Sequence, residues 1–494
     1  MSDIKNSSVS KKEVVSGFFW RFAERIAAQG VSFIVQLVLA RILMPEDYGT
    51  VALIVVITNI LQVFVDSGMG NALIQKKDAD NVDFSTVFYF NVVICIVVYL
   101  ILFFLSPLIA SFYGRPEMTE MLRVAGIVIL ISGVKNIQQA YVSRNLIFKR
   151  FFFATIIGTI ISAFVGIGLA LHGAGAWALI IQQLTNPAID TLVLWITVKW
   201  RPTRQFSFQR LKGLFSYGWK LLVSSLLDTT YNNLRQLIIG KLYSSADLAF
   251  YNRGKQLPEL VVTNIDTSIN SVLLPTMSRE QDDRVRMKSM TRRAIRTSSY
   301  IMWPLMIGLM ATCEPLVQLI LTDKWLPAVP YIRVFCLVFA IYPIHTSNLN
   351  AIQAMGRSDL FLKLEIIKKC VGLGLLLSTM WFGPMAMAYS MLASGVISMV
   401  INSWPNRKLM NYKFGEMMLD ILPDIGMSVV MGVVVYLVSF LHLQIVVQLI
   451  IQILFGVFIY AFLSKVFHID SFELIMTFIK NRKNVKESTE NVRK

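Results

Sequence analysis

The chain has 494 residues, 55% of them hydrophobic and only 16% charged, with a formal net charge of +17. A soluble protein of this length cannot hide so much apolar surface, and its apolar runs reach the roughly 20 residues needed to cross a bilayer as helix. That excludes a soluble globular chain and the short alternating segments of a membrane β-barrel, while Lys and Arg concentrated in loops read as topology and anionic-lipid signals rather than as a nucleic-acid surface.

The expected fold is an all-α polytopic membrane protein with fourteen transmembrane helices. Six spans, at about 17–42, 48–74, 84–110, 118–142, 152–171 and 174–198, form an N-terminal lobe within residues 1–198. A basic amphipathic linker follows at 199–213, where Trp200, Phe206 and Phe208 alternate with Arg201, Arg204, Arg210 and Lys212. It suits either a segment lying on an anionic membrane surface or a solvated connection. Six more spans, at about 214–242, 247–275, 296–321, 329–353, 361–382 and 384–405, form a C-terminal lobe within 214–413. Two extra spans, about 423–442 and 445–467, occupy 414–470, and a basic tail runs over 471–494. The polar start, Met1–Ser16, does not read as a removed signal peptide.

Alternate loops differ in charge. One set holds Lys76, Lys77, Arg144, Lys149, Arg150, the basic linker, Arg279–Arg293, Arg357, Lys363, Arg407, Lys408 and Lys413; the other has little beyond Arg41, Arg115, Lys241 and Lys324. The positive-inside rule puts both termini in the cytoplasm, and an even span count agrees.

The two lobes also echo one another. Trp20-Arg21 resembles Trp219-Lys220, and at a constant offset Asp47, Gly49, Asp66 and Leu73 fall on Asp247, Ala249, Asp266 and Leu273. Pro107-Leu108 matches Pro315-Leu316, and Arg123 matches Arg333. Collinear matches of this kind indicate a parallel repeat.

The candidate site lies on Trp219–Pro275, an apolar stretch that nevertheless carries charge. Lys220, Ser224, Asp228, Tyr231, Asn232 and Arg235 share one helical face, and Asn252, Lys255, Glu259, Thr263, Asp266 and Asn270 share another, with Arg253 nearby. The first span repeats the pattern with Arg21, Glu24, Arg25, Ser32 and Gln36, and the second adds Asn59, Gln62 and Asp66. An ionised group at the bilayer centre costs about 2.5–3.5 kcal/mol on insertion scales, so such faces belong in a wet, protein-walled cavity. Arg21, Arg25, Lys220, Arg235, Arg253, Lys255, Gln36 and Asn232 are the candidate substrate-binding residues. Asp228, Glu259, Glu24, Asp66 and Asp266 are either ion-coupling acids or static counter-ions. Arg21 and Lys220 also lie close enough to helix ends to snorkel instead.

Enzyme signatures are missing. There is no G-x-x-x-x-G-K-[ST] loop, and four scattered His and four scattered Cys give no metal spacing, so neither metal nor cofactor is expected. Asp78-Ala79-Asp80 has the D-x-D form but reads as loop charge, and Lys135, Asp190, His345, Lys368 and Lys369 read as isolated.

From Gly17 to about Lys413 the chain resembles the Wzx-type polysaccharide flippases of the multidrug/oligosaccharidyl-lipid/polysaccharide exporter superfamily. The likeness is carried by Leu43-x-Pro45-x-Asp47-Tyr48-Gly49, Leu214-Phe215-Ser216-Tyr217-Gly218-Trp219, Ile239-Gly240-Lys241, Tyr251-Asn252-Arg253, Leu274-Pro275-x-x-Ser278-Arg279, Asp323-Lys324-Trp325 and Met355-Gly356-Arg357. The resemblance implies two six-helix lobes, alternating access, a bacterial inner membrane and an undecaprenyl-pyrophosphate-linked oligosaccharide as cargo. Anionic lipids and polysaccharide-synthesis machinery are the implied partners. The rivals are a MATE-like cation or drug antiporter, which would want carboxylates rather than Arg and Lys, and a membrane polymerase or glycosyltransferase, which would want a sizeable external domain.

Overall fold

Capping side chains, prolines and close-packed glycines decide where these apolar runs begin and end as helices. The computed structural model describes residues 11–66, 69–76, 78–145, 147–441, 443–473 and 476–477, without the side chains of 11–19, 21–26, 71, 75 and 217. Among the described residues the regular structure is wholly helical, with seventeen α-helices and two short 3₁₀ turns. The chain divides into two compact units between Ala249 and Phe250.

The first unit holds α1 (Lys11–Ile42), α2 (Pro45–Asp66), α3 (Met69–Gln75), α4 (Asn81–Tyr113), α5 (Met118–Ala125), α6 (Ile127–Arg144), α7 (Lys149–Leu171), α8 (Ala176–Thr197) and α9 (Phe208–Leu242). Pro45 opens α2, where its missing N–H leaves nothing unsatisfied. Asp47 accepts a hydrogen bond from the Met44 N–H at 3.1 Å. Gly49 then brings two backbones together: a Cβ there would stand 1.7 Å from the Ser245 carbonyl oxygen. The expected span 118–142 is two helices, α5 and α6, meeting at Gly126.

The stretch 199–213 is docked on this unit. Trp200 is only 7% exposed and packs in a core with Phe84, Leu194, Leu211 and Leu214. Its ring stacks on Tyr141 at 6.2 Å, and its indole N–H donates to Asn81 Oδ1 at 2.6 Å. The Thr203 and Ser207 N–H groups donate to the Ser85 and Thr86 hydroxyls in the second turn of α4, at 2.9 and 3.1 Å. Only Phe206 and Phe208, of the three aromatics in the alternating pattern, remain exposed.

The second unit takes α10 (Ser245–Arg279) from Phe250 onward, then α11 (Arg284–Leu321), a 3₁₀ turn at Asp323–Ala328, α12 (Val329–Ala340), α13 (Tyr342–Ala354), α14 (Ser358–Thr379), α15 (Pro384–Leu409), α16 (Phe414–Leu437) and α17 (Ile445–Val466). Asp283 caps α11, accepting from the Val285 and Arg286 N–H groups at 2.9 and 3.0 Å. With 38 residues α11 is about 57 Å long, well beyond a hydrocarbon core of about 30 Å. The expected span 329–353 breaks between α12 and α13, because Pro343 has no N–H to donate and crowds the preceding turn.

Long files of exposed apolar side chains run along α4 (Val93, Val97, Ile101, Phe104, Leu108) and α17 (Ile450, Leu454, Val457, Phe458). Faces of that extent are stable against lipid, not water. Among the described residues eight helical segments are long and apolar enough to cross a membrane, α9 and α10 standing outside that set because charge recurs along them. The protein is an all-α, multi-pass membrane protein.

Candidate functional site

Ser207 caps α9, accepting from the Arg210 N–H at 3.4 Å. From there Lys220, Ser224, Asp228 and Asn232 are exposed along one side of the helix, and Tyr231 and Arg235 are half-buried. The Asn232 amide donates to the Asp228 carboxylate at 3.2 Å. The Nε of Arg235 is buried and has no acceptor among the described residues. On α1, Ser32 and Gln36 are half-buried. The side chains of Arg21, Glu24 and Arg25 lie outside the described residues.

Asn59 and Gln62 on α2, with Thr58, Ser132 and Gln183, line a cavity of about 210 Å³ inside the first unit. At the end of α2, the Asn136 amide donates to the Val65 carbonyl at 3.0 Å and to Asp66 at 3.4 Å. That places Asp66 against α6.

On α10, Lys255 pairs with Glu259 at 3.3 Å. Glu259 is 46% exposed there, so this one-turn pair adds little stability and leaves the ammonium available. Arg253 donates to Gln256 Oε1 at 2.7 Å and lies over the Trp325 ring, 5.3 Å from its centroid. Asp266 accepts from Thr346 Oγ1 at 2.5 Å, and Asn270 Oδ1 accepts from Asn350 at 2.6 Å, so both tie α10 to α13. An amide thus stands one turn from Arg235 on α9, and a carboxylate one turn from Lys255 on α10. Such a set can receive an anionic group through charge-assisted hydrogen bonds and hydroxyl groups through amides.

The structure also joins residues that looked isolated. Lys135 on α6 and Asp190 on α8 form a buried ion pair. Lys368 pairs with Glu365 at 2.5 Å, and His345 shares a hydrogen bond with Asn402 at 3.2 Å. Residues far apart in sequence leave no local signal for the first or last of these pairings.

Asp80, the second acid of the D-x-D triplet, is a helix cap: it accepts from the Asp83 N–H at 2.9 Å while the Asp80 N–H donates to the Asp83 carboxylate at 3.2 Å. Burial works to raise the Asp80 carboxyl, but the Arg210 guanidinium at 2.5 Å and these backbone bonds hold it below its ordinary value. At Met355-Gly356-Arg357, Gly356 takes φ +71 and Arg357 grips Asp359 through two bonds of 2.9 Å. Those bonds pull the Asp359 carboxyl down to about 2.

A family profile described as "Polysaccharide biosynthesis protein" matches residues 38–330, more than half of the chain. The chain belongs to this family. Curated relatives of this polysaccharide biosynthesis protein include the teichuronic acid biosynthesis protein TuaB of Bacillus subtilis, 24% identical and covering 71% of this chain and 73% of that one. The succinoglycan biosynthesis transport protein ExoT of Rhizobium meliloti is 23% identical, covering 71% of each. The lipopolysaccharide biosynthesis protein WzxC of Escherichia coli is 23% identical, covering 72% and 73%. Among solved structures, the lipid II flippase MurJ in an inward closed conformation superposes with a TM-score of 0.74 at 15% identity, covering 91% of this chain and 99% of MurJ. An inward-facing MATE-family multidrug transporter gives 0.61 at 14% identity, covering 77% and 94%. At those identities the superpositions speak to the fold alone, which is shared with MurJ and the MATE transporter. The Wzx-type resemblance read from the motifs holds.

Proposed function

We propose that this family member is a flippase that moves an undecaprenyl-pyrophosphate-linked oligosaccharide from the inner to the outer leaflet of a bacterial inner membrane. The observation that carries the proposal is α9, where Lys220, Asp228, Asn232 and Arg235 stand on one face of a helix within a membrane bundle of this family. A pyrophosphate carries about two negative charges, which Arg and Lys can hold by charge-assisted bonds. In this reading the chain has fourteen spans, two six-helix lobes at 1–198 and 214–413 joined by 199–213, two extra helices in 414–470 and cytoplasmic termini. Arg21, Arg25 and Lys220 receive the head group, a rocking of the lobes passes it on through a cationic cavity, and Arg235, Arg253 and Lys255 hold it before release. Gln36 and Asn232 meet glycan hydroxyls.

An inside-negative potential favours outward movement of anions by about 2.3 kcal/mol per charge per 100 mV, so two charges give about 4.6 kcal/mol. That is enough to set direction without a coupling ion. The test is translocation in proteoliposomes carrying a labelled pyrophosphate-linked oligosaccharide lipid, with and without an imposed potential. Arg25→Ala/Arg235→Ala is expected to abolish protein-dependent flipping. Flipping that survives in the variant removes these residues from the path, and export of an organic cation in its place would favour the MATE-like reading.

A further inference from the structure

The second unit contains a polar cluster apart from the faces of α9 and α10. Lys288, Arg292 and Arg296 follow one another at four-residue steps on α11, and Glu416, Asp420 and Asp424 do so on α16. The first two rungs meet in register and the third does not. Lys288 pairs with Glu416 at 2.8 Å, while Arg292 and Arg296 both turn to Asp420, at 2.6 Å each. Arg296 also reaches Asp470, past the end of α17, at 3.1 Å. One more step along α11 brings Tyr300, not a cation, so the third carboxylate on α16 is left over.

That carboxylate is Asp424, which is 3% exposed. Among the described residues it closes no ion pair and its side chain accepts no hydrogen bond. The hydroxyls around it are committed elsewhere. Ser428 donates to the Asp424 backbone carbonyl at 2.6 Å, Tyr300 donates to Ser464 at 3.0 Å, and Tyr460 donates to the Tyr300 carbonyl at 2.9 Å. Three cations therefore face four carboxylates, Asp470 included, and the surplus negative charge falls on the most buried group without a partner. An uncompensated carboxylate in such a site takes up a cation or a proton.

A way in is present. A cavity of about 130 Å³ is lined by Asp424 together with Arg296, Asp420, His468, Asp470 and Ser471. The groups facing Asp424 are thus Arg296 and Tyr300 from α11, Asp420 on its own helix, Tyr460 from α17, and His468 and Asp470 from the turn beyond it. Arg293 and Lys465, the other cations of these helices nearby, are exposed. Carboxylate and hydroxyl oxygens are the donors that hard cations prefer. We propose that Asp424 and this cavity form a binding site for one small monovalent cation, a proton or a sodium ion. The bound cation neutralises the odd carboxylate and joins α11 and α16 to the turn after α17.

The test uses the full-length protein in detergent and needs no transport, so it stands or falls separately from the flippase proposal. Infrared difference spectra between acid and neutral pH are expected to show one buried carboxylic-acid band that Asp424→Asn removes. Isotopic labelling of aspartate carboxyls moves that band in the wild type and not in Asp424→Glu, which preserves the test where the Asn variant does not fold. Asp470→Asn keeps the band. Adding sodium chloride against choline chloride at mildly acid pH separates the two cations. Loss of the band with release of up to one proton per chain assigns the site to both, and an unchanged band assigns it to the proton alone. A folded Asp424→Asn variant with the wild-type band and wild-type proton release overturns the proposal.

Discussion

The Lys135–Asp190 pair tests how a buried charge is tolerated in this fold. The side chains are 17% and 8% exposed, and Asp190 Oδ1 has no hydrogen-bond partner among the described residues. Replacing Asp190 by Asn strands an ammonium among apolar helices, and replacing Lys135 by Met strands a carboxylate. Breaking a buried pair from one side costs about 3–5 kcal/mol, and the bare oxygen on Asp190 means the intact pair is itself not fully compensated. Removing both charges together, in Lys135→Met/Asp190→Val, should therefore restore stability to within about 1 kcal/mol of the wild type. For a unit of this size each kcal/mol shifts the unfolding midpoint by about 2–4 °C. Thermal unfolding of the purified protein is expected to show each single variant lowered by roughly 10 °C and the double variant near the wild type. A double variant that falls by the sum of the singles would refute the reasoning. On the proposed flippase reading, a double variant that is stable but does not flip lipid would give the pair a part in transport.

Gly49→Ala puts a methyl group on the Ser245 carbonyl and is expected to cost more than about 2 kcal/mol or block folding, whereas Gly30→Ala, with nothing within 4 Å, should be neutral or slightly stabilising in the same unfolding assay. Trp200→Ala should cost about 3–5 kcal/mol because the ring fills a core, and Phe208→Ala, 73% exposed, should cost under about 0.5 kcal/mol. Asp80→Ala should lose about 1 kcal/mol of helix capping and Asp80→Ser should recover most of it. On the proposed flippase reading, both Asp80 variants should keep flipping lipid in proteoliposomes, since Asp80 caps a helix.

Much of the helical fold was legible because lipid enforces long apolar runs, and some of the positions matched between the two halves have similar local contacts. Asp47 takes the Met44 N–H at 3.1 Å, and Asp247, at the matching position, takes the Ser244 N–H at 3.1 Å. Arg123 reaches back to Ser106 at 3.1 Å, and Arg333 reaches back to Glu314 at 3.3 Å. The fourth expected span of each half is broken in two, at Gly126 and at Ile341. Less legible were the breaks themselves. An apolar run reads as one span by hydropathy, and only a proline just past the break, as at Pro343, marks one of the two.

The candidate site was legible as a pattern and not as a set of contacts. Period alone put Lys255 and Glu259 on one face, and they pair. It could not show that Arg253 is spread over Trp325, since that ring arrives from a turn some seventy positions away. Separation in sequence likewise hid Lys135 from Asp190. Yet the cluster around Asp424 did leave a signal: cations at four-residue steps on α11 and carboxylates at four-residue steps on α16 form complementary stripes. What the stripes cannot reveal is their register. Equal spacing alone would give Glu416, Asp420 and Asp424 a cation each, and in the structure both Arg292 and Arg296 converge on Asp420. The unpaired charge on Asp424 is thus a property of where the Arg296 side chain turns, to Asp420 and Asp470, which no count of residues along either helix contains.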